Sequence, residues 1–294
     1  MKPVVKARWQ IHCCVLLWGI TAILGKLITL PALPLVWWRM LLVSGTLLLL
    51  PRVWRGIAAM PARLRWAYAG IGVLVSLHWL AFYAAIKLSN ASVAAICIAL
   101  APVFLSLTEP WITRSRFNPR ELLLAVAVVP GVAMVIGGVS LGMRLGFAVG
   151  AFSALVDAVF GACNKRLIAH ADPLTVTCIE MGAGALFLTL LAPLLPHAGA
   201  AFMLPGAHDA ALLAVLVLGC TLLPFALALV ALRHLSAFGV QMATNLEPVY
   251  AIVLAIILLG EQHELDGWFY AGVAVILAAV FLQPLLNRRP TDAS

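Results

Sequence analysis

Three ionisable side chains interrupt long apolar stretches of the sequence. His78, Asp157 and Glu247 each lie about eleven or twelve residues into such a stretch, which at about 1.5 Å per helical residue is near the middle of a bilayer. Ionisable groups at that depth are costly and are functional by default. Proton exchange and binding of a substrate amine are both open for the carboxylates, and a hydrogen-bonded structural carboxyl is the alternative for each.

Polar and aromatic side chains accompany these three residues. Gln241, Asn245 and Pro248 share one helical face, and a proline there frees a backbone carbonyl that needs a partner in lipid; a purely structural kink is the alternative. Aromatic walls suit a pocket for organic molecules of mixed polarity. The candidate substrate-binding residues are Trp18, His78, Trp79, Tyr83, Asp157, Asn164, Gln241, Asn245, Glu247 and Tyr250, and the candidate helix-break residues are Pro102 and Pro248.

Other charged residues are set aside. Arg39 and Glu180 lie nearer the ends of their stretches, and Glu109 is expected to form a salt bridge with the arginines that follow it. The acidic and histidine cluster at 261–266 fits no metal-ligand spacing. We therefore expect a solvated turn that caps the last helix, with no metal site.

The elements that must position these residues are membrane helices. The chain is 64% hydrophobic and only 10% charged, with a mean hydropathy of +1.08, whereas soluble domains are roughly 25% charged. Stretches of about 20 apolar residues predict spanning helices. Ten such stretches occur, near 11–30, 34–51, 67–88, 91–112, 120–139, 145–166, 174–194, 209–231, 236–259 and 265–286.

The basic residues predict the orientation of these helices. Most of the 19 Lys and Arg residues lie at the two termini or in every second gap between the apolar stretches. By the positive-inside rule both termini are cytoplasmic. The net charge of +8 then reflects orientation and attraction to anionic lipid, so no nucleic-acid partner is expected.

The two halves of the chain resemble each other. An ungapped offset places 83–104 over 229–250, and Ala91 then meets Ala237 while Pro102 meets Pro248. Because each half holds five predicted helices, an odd number, the second half enters the membrane from the opposite side. Inverted repeats are typical of secondary transporters that bind substrate at the midplane.

Several segments resemble the EamA-type family of the drug/metabolite transporter superfamily. They are 79–86 with 101–104 in the first half, 245–250 with 258–261 in the second, and Leu17-Trp18-Gly19 near the start. The resemblance implies an all-α integral membrane protein of ten transmembrane helices in two inverted five-helix repeats, 1–140 and 141–294, around a central cavity. Such proteins move amino acids, other small metabolites or drugs, commonly outward, and no cofactor is expected.

The first half departs from the family pattern in one place. The Gly-Glu pair that follows the second proline helix, Gly260-Glu261, falls at Arg114-Ser115 in the first half. Glu261 is therefore left out of the candidate site.

The sequence thus predicts a secondary carrier of small organic metabolites in a bacterial cytoplasmic (inner) membrane, facilitative or proton-coupled. Its partners would be the small-molecule substrate and the lipid bilayer, and the protein would be a monomer or a homodimer. An intramembrane enzyme is one alternative, although no catalytic motif occurs in the sequence. A channel is the other, but the polar residues cluster near mid-depth instead of crossing the whole membrane.

Overall fold

The computed structural model describes residues 3–195, 202–244 and 246–286, and these residues form helices and connecting turns without a strand. The α-helices are α1 (Pro3–Leu27), α2 (Ala32–Leu48), α3 (Pro51–Ala59), α4 (Ala62–Leu88), α5 (Ala91–Cys97), α6 (Ala101–Thr113), α7 (Pro119–Val126), α8 (Val129–Gly137), α9 (Arg144–Leu167), α10 (Pro173–Leu191), α11 (Ala207–Val217), α12 (Leu223–Leu232), α13 (Ala237–Thr244), α14 (Glu247–Leu259) and α15 (Gly267–Leu286). The predicted all-helical architecture is confirmed.

Within the described residues, seven helical segments are long and apolar enough to cross a bilayer. They are Pro3–Leu27, Ala62–Leu88, Ala91–Thr113, Leu141–His170, Pro173–Leu194, Ala207–Leu232 and Ala237–Leu259. The pair α2 and α3 makes an eighth if it is counted as one bent span. The chain is a multi-pass membrane protein, while the count of ten spans stays a prediction.

The second predicted span is shorter than expected because the chain turns at a proline. α2 ends at Leu48, and α3 then starts at Pro51 and runs at 93° to it. A residue that precedes proline is disfavoured in the helical region, and Leu50 is accordingly extended. α3 exposes Trp54 and both its arginines, as expected of a helix that lies at a membrane surface.

The fifth predicted span is divided. α7 and α8 are separated by a turn at 127–128, and Pro130 lies in the first turn of α8, where its missing N–H interrupts the helical hydrogen bonds. α8 packs closely on α15: a Cβ added to Gly131 would lie 2.7 Å from the backbone oxygen of Gly272. These two helices share a second hydrophobic core with parts of α5 and α14.

The two proline helices are both interrupted. A 3-10 turn, Ile98–Leu100, separates α5 from α6, and Pro102 lies in the first turn of α6. α13 ends at Thr244, and Pro248 lies in the first turn of α14. Both prolines are buried, and each follows directly on a break in its helix.

Candidate functional site

A cavity opens inside the main helix bundle. Its volume is about 110 Å³, which is below the roughly 300–1,000 Å³ typical of small-molecule sites. Side chains from both halves of the chain form its walls, namely those of α1, α2, α4, α9, α12, α13 and α14 together with Ile98. The polar wall residues are Thr21, Arg39, His78, Asp157, Asn164, Gln241, Thr244 and Glu247, and the aromatic ones are Trp18, Trp79, Phe82, Phe160 and Phe225.

Most of the residues predicted from the sequence meet in this cavity. Those that line it are Trp18, His78, Trp79, Asp157, Asn164, Gln241 and Glu247. Their helices are far apart in sequence, so only the packing of both halves brings them together. Asn245 lies outside the described residues.

Tyr83 and Tyr250, also predicted for the cavity, do not line it. Tyr83 is fully buried behind the wall, where its hydroxyl accepts a hydrogen bond from Arg39. Tyr250 is 38% exposed, and its backbone lies where α14 contacts α1 closely. A Cβ added to Gly19 of α1 would lie 2.7 Å from the Tyr250 Cβ, which leaves no room for the Tyr250 ring between the two helices.

Arg39 is a cavity residue that the sequence analysis set aside. Its side chain is only 2% exposed. The Nε donates to Thr221 Oγ1 at 2.7 Å and Nη1 donates to Tyr83 Oη at 2.9 Å. The guanidinium carbon lies 3.7 Å from the centre of the Trp79 ring, which is close enough for a cation–π contact. A charged residue in an apolar stretch was the signal that could have identified it.

The acidic residues of the cavity differ in their partners. Asp157 of α9 accepts a hydrogen bond from the Gln241 side chain of α13. Glu247 is 7% exposed, and its carboxylate accepts no hydrogen bond from a described residue. Neither carboxylate forms an ion pair within the part of the chain that the structure describes.

His78 fixes the crossing of α4 and α9. Ser153 Oγ donates to the His78 backbone oxygen at 2.9 Å, and His78 Nδ1 lies 2.8 Å from the same hydroxyl and 3.0 Å from the Ser153 backbone oxygen. Since the hydroxyl has one proton and donates it to the backbone, Nδ1 must be the other donor. In the neutral ring Nε2 is then left as an acceptor.

Polar contacts join the two halves near both ends of the bundle. At one end Thr29 donates to Asp209 at 2.7 Å and Ser92 Oγ donates to Glu261 at 2.6 Å. At the other end Tyr68 donates to the Leu167 oxygen at 2.7 Å and Arg166 donates to the Ile112 oxygen at 2.9 Å. The cavity therefore lies between two sets of contacts that link the halves.

The cluster at 261–266 is only in part the solvated turn expected from the sequence. Asp266 Oδ1 accepts from the Phe269 N–H at 3.0 Å at the start of α15. Glu261, in contrast, is 1% exposed and accepts from the Ala91 and Ser92 N–H groups, both at 3.0 Å. The carboxylate thus caps α5 in the other half of the chain.

Comparison with known proteins agrees with this architecture. The chain is 32% identical over 205 residues to a protein of Streptantibioticus cattleyicolor named "Probable terminal-alkyne amino-acid exporter", and the match covers 68% of this chain and 65% of that relative. A crystal structure of another protein, 18% identical, has a TM-score of 0.69 with coverage of 97% of this chain and 98% of the other. That likeness shows the fold alone.

The model of the EamA-like transporter family matches residues 9–137 and 144–283. These ranges cover nearly all of the chain and include every described residue that lines the cavity. The protein therefore belongs to the EamA-like transporter family.

Proposed function

We propose that this protein is a secondary transporter that moves small organic metabolites, such as amino acids or amphipathic drugs, outward across the cytoplasmic membrane. One observation carries the proposal: a cavity in the main bundle that is lined by charged and aromatic side chains from both halves of the chain. A soluble substrate needs such a polar interior to cross a bilayer. The relative named as an amino-acid exporter supports this class of substrate.

The proposed architecture is ten spans in two inverted halves, 1–140 and 141–294, with both termini in the cytoplasm. Support comes from the two ranges that match the family model, 9–137 and 144–283. The interrupted helices, α5–α6 and α13–α14, also occupy corresponding places in the two halves. Broken helices at a repeat interface are a common site of substrate binding in transporters.

The proposed mechanism is alternating access, and the contacts at the two ends of the bundle support it. Opening one end requires the Thr29–Asp209 and Ser92–Glu261 contacts to break, and opening the other requires loss of the contacts made by Tyr68 and Arg166. Transport is facilitative or driven by proton exchange at Asp157 or Glu247. The Glu247 carboxylate, which accepts no hydrogen bond from a described residue, is the better placed of the two to exchange a proton with the cavity.

Counterflow into proteoliposomes tests the proposal. Vesicles that contain the purified protein are loaded with an unlabelled solute, and uptake of the labelled solute is followed for amino acids and cationic drugs in turn. Saturable counterflow of at least one of them is expected. Ohmic conductance would instead identify a channel, and chemical conversion of the solute would identify an enzyme.

A further inference from the structure

We propose that Arg39 binds the carboxylate of a zwitterionic substrate whose ammonium group meets Asp157 and Glu247. The inference rests on the proposed transport function and specifies its substrate: a neutral amino acid with an apolar side chain. The cavity then selects against organic cations that have no carboxylate. Three features of the cavity walls support the assignment.

The first feature is the unused hydrogen-bonding capacity of Arg39. A guanidinium carries five N–H donors in a planar fork that matches a carboxylate. Thr221 and Tyr83 each take one donor, and Trp79 covers one face of the plane. Nη2 donates to no described residue, although the side chain lines the cavity. Two hydrogen bonds and the Trp79 ring therefore hold the guanidinium in place, and its remaining N–H donors are available to a ligand.

The second feature is the absence of a counter-ion. No carboxylate of the described residues lies within ion-pairing distance of Arg39. A buried cation without a partner is costly in a membrane interior, and two hydroxyl acceptors and an aromatic face compensate for only part of its lost hydration. A substrate carboxylate would supply the missing negative charge.

The third feature is the separation of charge within one cavity. Asp157 and Glu247 line the same cavity as Arg39 without pairing with it. A cationic ligand would satisfy the two acids but would add a like charge near Arg39. A zwitterion provides a carboxylate for Arg39 and an ammonium group for the acids, so it contacts both signs of charge at once.

The aromatic walls specify the rest of the substrate. Trp18, Phe82, Phe160 and Phe225 line the cavity beside the charged residues. An apolar side chain that contacts these rings loses little on leaving water. These rings therefore favour neutral amino acids with an apolar side chain, such as leucine, methionine or phenylalanine.

Binding of matched analogues to the purified full-length protein tests the inference. L-leucine is compared with L-leucinamide, which lacks the carboxylate, and with N-acetyl-L-leucine, which lacks the ammonium group. Loss of one charge-assisted contact corresponds to roughly a 10- to 150-fold weaker affinity, so both analogues should bind at least about tenfold more weakly than leucine. If leucinamide binds as tightly as leucine, or if no neutral apolar amino acid binds, the inference is wrong.

Substitution of Arg39 separates carboxylate binding from a general role in packing. Arg39→Met should weaken leucine binding by about tenfold or more while leucinamide binding changes less than about threefold. Arg39→Lys keeps the positive charge but loses the planar fork. Its affinity for leucine should therefore lie between that of the unaltered protein and that of Arg39→Met. Arg55→Met, on the exposed face of α3, is the matched control and should leave both affinities unchanged. Equal weakening of leucine and leucinamide by Arg39→Met would contradict the proposal.

The outcomes also separate this inference from the transport function. Carboxylate-dependent binding without counterflow of any solute would refute the transport function alone. Counterflow of a cationic drug by a protein that binds no amino acid would refute the role of Arg39 alone. If Arg39→Met does not fold, the comparison of leucine with leucinamide in the unaltered protein decides the question.

Discussion

Glu261 offers a direct test of how the two halves are held together. Its carboxylate follows α14 in the second half, yet accepts the Ala91 and Ser92 N–H groups and the Ser92 hydroxyl in the first half. The first N–H groups of a helix have no partner within the helix. At 1% exposure of Glu261, water cannot replace the carboxylate, so its removal leaves buried donors unpaired.

The expected cost can be worked out from these contacts. Each buried donor left without a partner costs roughly 1–3 kcal/mol, and removal of one member of a buried charged contact costs roughly 3–5 kcal/mol. We therefore expect Glu261→Ala to lower the free energy of unfolding by about 3–5 kcal/mol. Glu261→Gln keeps one acceptor oxygen and loses the charge, so the free energy of unfolding should fall by only about 1–2 kcal/mol. Unfolding in mixed micelles, followed by tryptophan fluorescence, measures both.

The neighbouring acid provides a matched control. Glu264 lies in the same turn but is exposed and accepts one hydrogen bond, from the Asn90 amide at 3.0 Å. Glu264→Ala removes a single part-buried hydrogen bond from Asn90 and should cost about 1–2 kcal/mol, less than Glu261→Ala. Equal stability losses for Glu261→Ala and Glu264→Ala, or no loss for either, would refute the assignment of Glu261 as the cap of α5.

Three further predictions concern the cavity and the helix contacts. Asp157→Asn and Glu247→Gln should each impair counterflow while expression and melting temperature stay near those of the parent; parental transport by both variants would exclude a role for these carboxylates. Glu180→Gln should leave the melting temperature nearly unchanged, since Glu180 is fully buried with both oxygens unpartnered and an uncharged carboxyl is the cheaper form there; a large loss would show that the charged form is required. Gly272→Val should lower stability by about 1–3 kcal/mol through overpacking, because a Cβ there would lie 2.5 Å from the Gly131 oxygen; an unchanged melting temperature would disprove close contact of α8 and α15.

The sequence was sufficient to locate much of the cavity because depth along a membrane helix is nearly proportional to residue count. His78, Asp157 and Glu247 lie at similar depth in three helices, and once those helices pack side by side the three side chains line one space. The same counting could not find Arg39. Its helix begins at Ala32, slightly earlier than expected, and a long side chain extends well beyond the depth of its own Cα.

Rotation of a helix about its axis was harder to predict than depth. Because Tyr250 follows Glu247 by three residues, the sequence predicts that both line the cavity. The close contact of α14 with Gly19 instead leaves the Tyr250 side chain outside the cavity. Apolar residues surround membrane helices on all sides, so an amphipathic pattern cannot indicate which face is turned inward. The partners of Glu261 were hidden for a related reason: a cap contributed by the opposite half leaves no local sequence signal.

The start of α5 shows how a helix that begins inside the protein obtains its hydrogen-bond acceptors. Glu261 caps α5, and Ser115 occupies the corresponding position in the first half. No ion pair of Glu109 with the arginines after it occurs among the described residues, so the salt bridge expected there is not found. A helix start inside a membrane protein needs acceptors for its free N–H groups. At α5 the acceptor is a carboxylate from the other half, and the Gly-Glu pair that supplies it occurs only once, so alignment of the repeats does not locate this contact.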